Sequence, residues 1–464
     1  MTAADPERAA MRETTATAAS ANPGTSLGAE PAEVIEEPST RRALAFVYVG
    51  YAFRYLYLAI LVPFYARVLG ASEYGRLLTA MGVFQIVWMI TEYGFPSAGV
   101  RDAARSQTPE KTASLYSRHT AGRLVMLLPA LAVGVGATML SPLLRERPIF
   151  GVLATLTGIV AGFNLGWFFQ GRLEFRTSVL LEILGFAVSV ALILSLVRGP
   201  DQGAYVFVAL LTSSVICTGL AHVIAMTRMR GGKVRVAGGF GIVRESTALF
   251  IHRGLGMIVA SSSTYLISLY ASPAEVGWYG AAERIASVGL ALLQPANQVL
   301  IGTVSRRLGA PDREESGFTL MRQGLIALTG VGVLMLVGSL VLSPIVLPLV
   351  LGPEFAASIP ILLVLSLMFP FAAFAQVVNG YVLIPLRLDW TVSRVGMVSA
   401  GLTLAAVLVL GKLFEGAGVA WARVLGSVFT AVILLQVLRQ KGLIEKLLGD
   451  RPLGMLLRVR GGGT

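Results

Sequence analysis

The sequence predicts an all-α polytopic membrane protein: about twelve transmembrane helices in two pseudo-symmetric six-helix bundles around a central cavity. Three observations lead there. Apolar stretches follow one another from about Ala43 to Leu438, in a 464-residue chain that is 55% hydrophobic and 14% charged. About 20 apolar residues cross a bilayer as a helix, and a spanning backbone in lipid has to satisfy its own hydrogen bonds. Lys and Arg are also distributed unevenly. With the N-terminus inside, the inner loops and the C-terminal tail hold 26 of them, whereas the outer loops hold 6: Arg67, Arg76, Arg145, Arg147, Arg198 and Lys412. Such an excess marks cytoplasmic loops, so both termini are expected in the cytoplasm, which requires an even number of spans. Short motifs, finally, recur in the two halves of the chain.

Residues 1–40 stand apart. They contain two arginines against seven carboxylates, net −5, so the remainder of this +12 chain carries +17. A segment so poor in apolar residues does not bury enough surface to fold, and it lacks the apolar core of a signal peptide. It is expected to be a disordered cytoplasmic tail. The first bundle, residues 41–227, holds spans at about 43–66, 77–100, 120–140, 149–170, 178–197 and 204–226. A basic, Gly-rich cytoplasmic linker follows at 228–246. The second bundle, 247–438, holds spans at about 247–270, 280–303, 320–343, 358–384, 391–411 and 417–438. In the basic tail 439–464, Leu443, Ile444, Leu447 and Leu448 share one helical face, which suits a helix lying on the inner leaflet or a simple solvated tail.

The motifs that recur are Gly70-Ala71-Ser72-Glu73-Tyr74-Gly75 against Glu275-Val276-Gly277-Trp278-Tyr279-Gly280, and Arg172-Leu173-Glu174-Phe175 against Arg387-Leu388-Asp389-Trp390. Each pair precedes or follows the same span of its half. Six spans per half make the repeat a parallel one, with the substrate site between the halves. Pro96 and Pro295 fall in the corresponding spans two and eight, where a missing backbone hydrogen bond bends a helix.

Composition also excludes classes of chemistry. The single Cys217 lies in an apolar run and the three histidines have no ligand spacing, so neither a disulfide framework nor a metal cluster is expected, and no cofactor. The basic balance follows from topology and needs no nucleic acid. Ionisable groups within spans are costly and are functional candidates by default: Arg54, Arg253, Arg284 and Arg423, with Glu92, Glu182 and Glu283. Arg54 stands twelve residues beyond Arg42, about 18 Å along a helix, too deep to reach the headgroups. Arg54 and Arg253 lie in the opening spans of the two halves, and guanidinium forks suit phosphate oxygens. The alternative is an ion pair between helices, such as Arg54 with Glu92; Glu92 fits equally a site for a coupling proton or sodium. Asn164, Gln170, Gln294, Asn297, Gln298, Gln376 and Asn379 could meet a sugar or hold helices together.

These residues resemble a known family. Leu69 to Gly75, Tyr93-Gly94-Phe95 and Arg101 are similar to the opening of bacterial polysaccharide flippases of the multidrug/oligosaccharidyl-lipid/polysaccharide exporter superfamily. Trp167-Phe168-Phe169-Gln170-Gly171 with Glu174, and Val276 to Arg284, resemble their later motifs. The resemblance implies alternating access and the movement of an undecaprenyl-pyrophosphate-linked oligosaccharide across the bacterial cytoplasmic membrane for surface polysaccharide synthesis. It implies that Arg54 and Arg253 meet the pyrophosphate, with Glu92, Asn164, Gln170, Asn297, Gln376 and Asn379 as further substrate-binding residues. It also places Glu283 and Arg284 in one motif, where a structural salt bridge is the favoured reading. Peptidoglycan-precursor flippases carry two further helices, for which this chain has no room.

Two other classes remain open. A cation-coupled small-molecule exporter of the same superfamily would need an acidic cavity, whereas the buried charges lean basic. A membrane-embedded polymerase or glycosyltransferase would need a sizeable outer loop or soluble domain, and no such segment is present between the spans.

Overall fold

The first helix of the chain is long enough to cross a bilayer twice, and a single glycine turns it. The computed structural model describes residues 40–105, 108–229, 238–291, 293, 304, 307 and 314–448; for 40–55, 58–59, 105, 248–249, 251–262, 314 and 448 it describes the backbone alone. Two compact units divide the chain, Met1–Ala45, of which the opening of the first helix is described, and Phe46–Thr464, to which everything below belongs. Helix α1 runs Thr40–Glu92, 53 residues, or about 80 Å at 1.5 Å per residue. Gly70 interrupts it with φ 70° and ψ 172°, a conformation that a Cβ would strain. The loop expected between spans one and two is therefore one residue long, and α1 has two arms.

The second arm ends at Tyr93 and Gly94, with φ 42° and 72°, and the chain bends by 41° into α2, Phe95–Arg105. Pro96 thus sits in the first turn of α2, where its missing N–H costs little, and the bend precedes it. Helix α3, Pro109–Leu140, starts on a Thr108 cap whose side chain accepts from Lys111 N. Then come α4 (Pro142–Glu146), α5 (Pro148–Gly162), α6 (Gly166–Gly171), α7 (Phe175–Leu196) and α8 (Ala204–Thr227). After the linker follow α9 (Gly239–Ile267), α10 (Pro273–Ala291), α11 (Glu314–Leu351), α12 (Ser358–Ser366), α13 (Phe369–Val377) with a π-helical turn at Val378–Leu383, α14 (Asp389–Gln440) and α15 (Leu443–Leu448). Helix α14 also breaks midway, at Phe414 and Glu415, the latter with φ 48°.

Among the described residues six helices are long and apolar enough to span a membrane, or eight with each of two bent pairs taken as one span; twelve passages are compatible with these helices. The most apolar stretch of α11 is only 6% buried. That much bare apolar surface needs lipid against it, so this is an all-α membrane protein.

The recurring motifs acquire geometry. Leu173 and Arg387 both take left-handed backbone, φ 60° and 57°. Glu174 N donates to Phe169 O at 2.8 Å and Leu388 N to Leu383 O at 2.9 Å. The two helices end in the same left-handed turn, in a register one residue different from the one the Arg-Leu-acid echo implies. The Tyr-Gly echo is a contact: Tyr74 and Tyr279 are both buried, and the second arm of α1 crosses α10 at Gly75, Gly277 and Gly280. A Cβ on Gly75 would overlap Pro273 O, and one on Gly277 would overlap Ala71 O. Beside this crossing α9 runs along α3. Tyr265 Oη donates to Ala137 O at 2.8 Å, the Ser141 and Ser268 hydroxyls are 2.9 Å apart, and Arg118 pairs with Glu245 at 3.1 Å at the far end.

Two expectations change. Arg123, counted among the inner-loop cations, is 1% exposed, because α3 is covered at that level by neighbouring helices. Helix α15 turns Leu443 and Leu447 not to a leaflet or to solvent but into a cluster with Met321, Leu434 and Leu438, and Lys446 lies 5.5 Å from the Phe318 ring. The tails 1–39 and 449–464, and 230–237 of the linker, lie outside the described residues.

Candidate functional site

Two polar stripes on otherwise apolar helices open a cavity of about 420 Å³. On α7, Ser178, Glu182, Gly185 and Ser189 are spaced three to four residues apart, so they share one face. On α8, Ser213, Ser214, Cys217 and Thr218 do the same. Small side chains leave the space between the helices, and Ser213 Oγ donates to Gly185 O at 2.8 Å to hold them together. Trp88 and Glu92 come from the second arm of α1, and Asn164, Phe169 and Gln170 from the connection of α5 to α6 and from α6 itself. The turn that presents Asn164 is fixed by its own side chain, whose Oδ1 accepts from Gly166 N. Glu92, Asn164 and Gln170, named from the sequence, therefore meet in one cavity. Its described lining contains the carboxylates Glu92 and Glu182 and, among the described residues, no Lys or Arg.

A second hollow, about 190 Å³, adjoins the first: Tyr57 and Leu210 line both. Here Tyr65, Tyr74 and Arg284 line the wall. The hydroxyls of Tyr65 and Tyr74 are buried with no hydrogen-bond partner among the described residues, and the charge of Arg284 reaches Tyr57, Tyr65 and Tyr74. A third hollow of about 100 Å³ shares Leu78, Met81, Gln85 and Arg284 with the second. Among the described residues no carboxylate pairs with Arg284. A guanidinium and two unsatisfied hydroxyls beside empty space are what an anion requires.

The salt bridge expected at Glu283 and Arg284 exists, with Arg284 outside it. Glu283 pairs with Arg423 of α14 at 3.2 Å and accepts from Thr264 Oγ1 at 2.6 Å; Arg423 also reaches Ser263 at 3.4 Å. The pair ties α9, α10 and α14 together. Both side chains are largely buried, and removing one partner of a buried pair costs about 3–5 kcal/mol. Arg423, carried as a functional candidate, is committed to this pair.

Arg123 is a deep cation that sequence reasoning misplaced. Its Nε donates to Gly162 O at 2.7 Å and its Nη1 to His119 O at 3.3 Å. The Phe95 and Trp167 rings lie 5.5 and 5.6 Å from the guanidinium, a favourable cation–π setting. The charge of Glu92 acts on Arg123, so Glu92 lies in the field of a cation behind the cavity wall.

Near Gly70 the chain closes on itself. Arg67 donates to Val350 O at 3.0 Å and to Leu349 O, and Glu354 accepts from Ala71 N at 3.0 Å, capping the second arm of α1. Glu73, 5% exposed, pairs with Arg76 and Arg147, and Asp201 with Arg147. The hydrogen bond that Arg147 donates to Asp201 and the charge of Glu73 hold the Arg147 guanidinium above its ordinary range.

Of the remaining candidates, Gln376 and Asn379 stand at the π-helical turn, away from these hollows, with Gln376 Nε2 and Asn379 Oδ1 unpartnered among the described residues. The side chains of Arg54 and Arg253 lie outside the described residues, as do Gln294, Pro295, Asn297 and Gln298. The serine stripes of α7 and α8 escaped the sequence reading. Their signal is small polar residues at helical spacing within an apolar span.

Comparison with known proteins adds relatives to this geometry. The chain is similar to a putative O-antigen transporter of Shigella dysenteriae, 20% identical over 402 residues, covering 85% of this chain and 98% of that protein. The lipid II flippase MurJ in an inward closed conformation shares the fold, with TM-score 0.65, 13% identity, and 87% of this chain and 90% of that one covered. So does an inward-facing multidrug resistance MATE family transporter of the MOP superfamily, with TM-score 0.58, 13% identity, and 83% and 94% covered. The model of the polysaccharide biosynthesis protein family matches residues 42–307, more than half of the chain, and the protein belongs to that family.

Proposed function

We propose that the protein flips a polyprenyl-pyrophosphate-linked oligosaccharide across the bacterial cytoplasmic membrane by alternating access, as a transporter and not an enzyme. The observation that carries this reading is the run of adjoining hollows. Arg284 and the tyrosine hydroxyls offer an anion site at one end, and a cavity of polar and aromatic side chains with two carboxylates lies at the other. A phosphate joined to a sugar has that same polarity. The O-antigen transporter relative supports the reading. In proteoliposomes, the purified protein should speed the appearance of a fluorescent undecaprenyl-pyrophosphate oligosaccharide in the opposite leaflet. An unchanged rate alongside uptake of an organic cation would replace this reading with the second one, a cation-coupled exporter, which the carboxylates of the larger cavity and the MATE fold favour.

The arrangement in the membrane belongs to the same proposal. Two six-helix bundles, 41–227 and 247–438, face each other across the cavity, with both termini cytoplasmic as the Lys/Arg asymmetry requires. Arg54 and Arg253 open the two bundles and face the same space, with Asn297, Gln376 and Asn379 contributing to it as the protein moves. One cysteine-labelling series tests both points. A cysteine at 233 should react only from the cytoplasmic side. Cysteines at 54 and 253 should react with a small water-soluble thiol reagent and be protected by substrate. Reaction at 233 from outside intact cells would invert the topology, and an unreactive 253 would leave Arg54 without its counterpart.

A further inference from the structure

Resting on that reading, the larger cavity can be assigned a part of the substrate and a preference among sugars. We propose that the sugar end docks between α1, α6, α7 and α8, and that Glu182 makes this subsite select neutral or amino sugars over acidic ones.

The position follows from adjacency. Tyr57 lines both the anion hollow and the larger cavity, and it is held against Phe186 of α7 with ring centroids 5.1 Å apart. A phosphate beside Arg284 therefore places the group bonded to it at Tyr57, with the cavity beyond. A volume of about 420 Å³ lies in the range of small-molecule sites, about 300–1,000 Å³, and admits a short saccharide. The lining suits one. Trp88, partly exposed in the lining, offers apolar ring surface to the C–H face of a pyranose. Gln170 supplies both donors and an acceptor, and Asn164, whose Oδ1 already accepts from Gly166 N, supplies its amide N–H groups; both residues are exposed and line the cavity.

The preference follows from charge. Of the two lining carboxylates, Glu92 lies in the field of buried Arg123. Glu182 is exposed and has no ion-pair partner among the described residues. Its place on the α7 stripe, with Ser178 one turn before and Ser189 two turns after, turns it towards the sugar. A carboxylate facing a cavity accepts strongly from hydroxyl or ammonium groups. It repels a uronate or any sugar with an acidic substituent, because like charges interact more strongly there than in water.

The test uses full-length protein in lipid nanodiscs and three soluble probes of similar size: chitobiose with free amines, neutral diacetylchitobiose and anionic digalacturonate. Quenching of tryptophan fluorescence reports binding, and its loss in Trp88→Phe locates the probe. Chitobiose should bind most tightly and digalacturonate about tenfold or more weakly than the neutral probe, the effect of one charged contact. Glu182→Gln should collapse that spread, weakening chitobiose and strengthening digalacturonate relative to diacetylchitobiose. Digalacturonate binding as tightly as diacetylchitobiose, or a spread unchanged in Glu182→Gln, would overturn the preference. Absence of Trp88-dependent quenching by all three probes would overturn the sugar subsite. Neither result touches the flippase reading, which stands or falls on the leaflet-transfer assay.

Discussion

Arg284→Ala should reach the membrane in normal amount and move the lipid-linked oligosaccharide roughly 10- to 150-fold more slowly, the factor set by about 1.5–3 kcal/mol for hydrogen bonds to a charged group. The reason is its setting. Glu283, its neighbour in sequence, is committed to Arg423 and Thr264, whereas Arg284 lines two hollows with no carboxylate paired to it among the described residues. A deep cation without a structural partner is expensive to keep, and its loss should spare folding. Arg284→Lys should recover part of the rate, since the charge returns without the planar fork. Leaflet-transfer rates normalised to protein amount decide the matter. A wild-type rate in the alanine variant would remove Arg284 from the substrate path.

Gly75→Val should disfavour the closed arrangement in which α1 and α10 touch at Gly75 and Gly277. The backbones of α1 and α10 meet at Gly75 and Gly277, so a side chain at position 75 would overlap Pro273 O and crowd Gly277 N. Backbone atoms cannot rotate aside as a flexible side chain can. Overpacking costs about 1–3 kcal/mol, which shifts a closed-to-open ratio about 5- to 150-fold. The Ser141 and Ser268 hydroxyls, 2.9 Å apart and buried between α3 and α9 at this end, supply the reporter. With Cys217→Ala as background, cysteines at 141 and 268 should form a disulfide readily, and much less readily once Gly75→Val is added. Transport should fall with the cross-linking yield. Unchanged cross-linking would show that the helices close without the glycine contact.

Which parts of this protein were legible in its residues follows from the range of the interactions involved. Helical content and membrane residence depend on local composition, since an apolar run has few alternatives in lipid. Glu92, Asn164 and Gln170 could be named because polar groups within a span demand an explanation. Gly75 and Gly280 could be seen as an echo, but the contact of Gly75 with Gly277 could not.

Partnership was decided by tertiary structure alone. Glu283 and Arg284 are adjacent in the chain, yet helical geometry points successive residues about 100° apart, so one meets Arg423 and the other the hollows. Arg123 reads as a loop cation until α3 is packed among its neighbours and Phe95 and Trp167 flank it. The character of the larger cavity was likewise out of reach of a charge count. A tally of buried ionisable groups leans basic, but a cavity's charge belongs to the side chains that face it: among the described residues Glu92 and Glu182 line it, and Arg123 is not part of its lining. Residues in one chain determine that there will be a helical membrane bundle with charges inside it. Which charges cancel and which stay free for a ligand depends on distances of a few ångströms between residues far apart in sequence, and those exist only once the helices have packed.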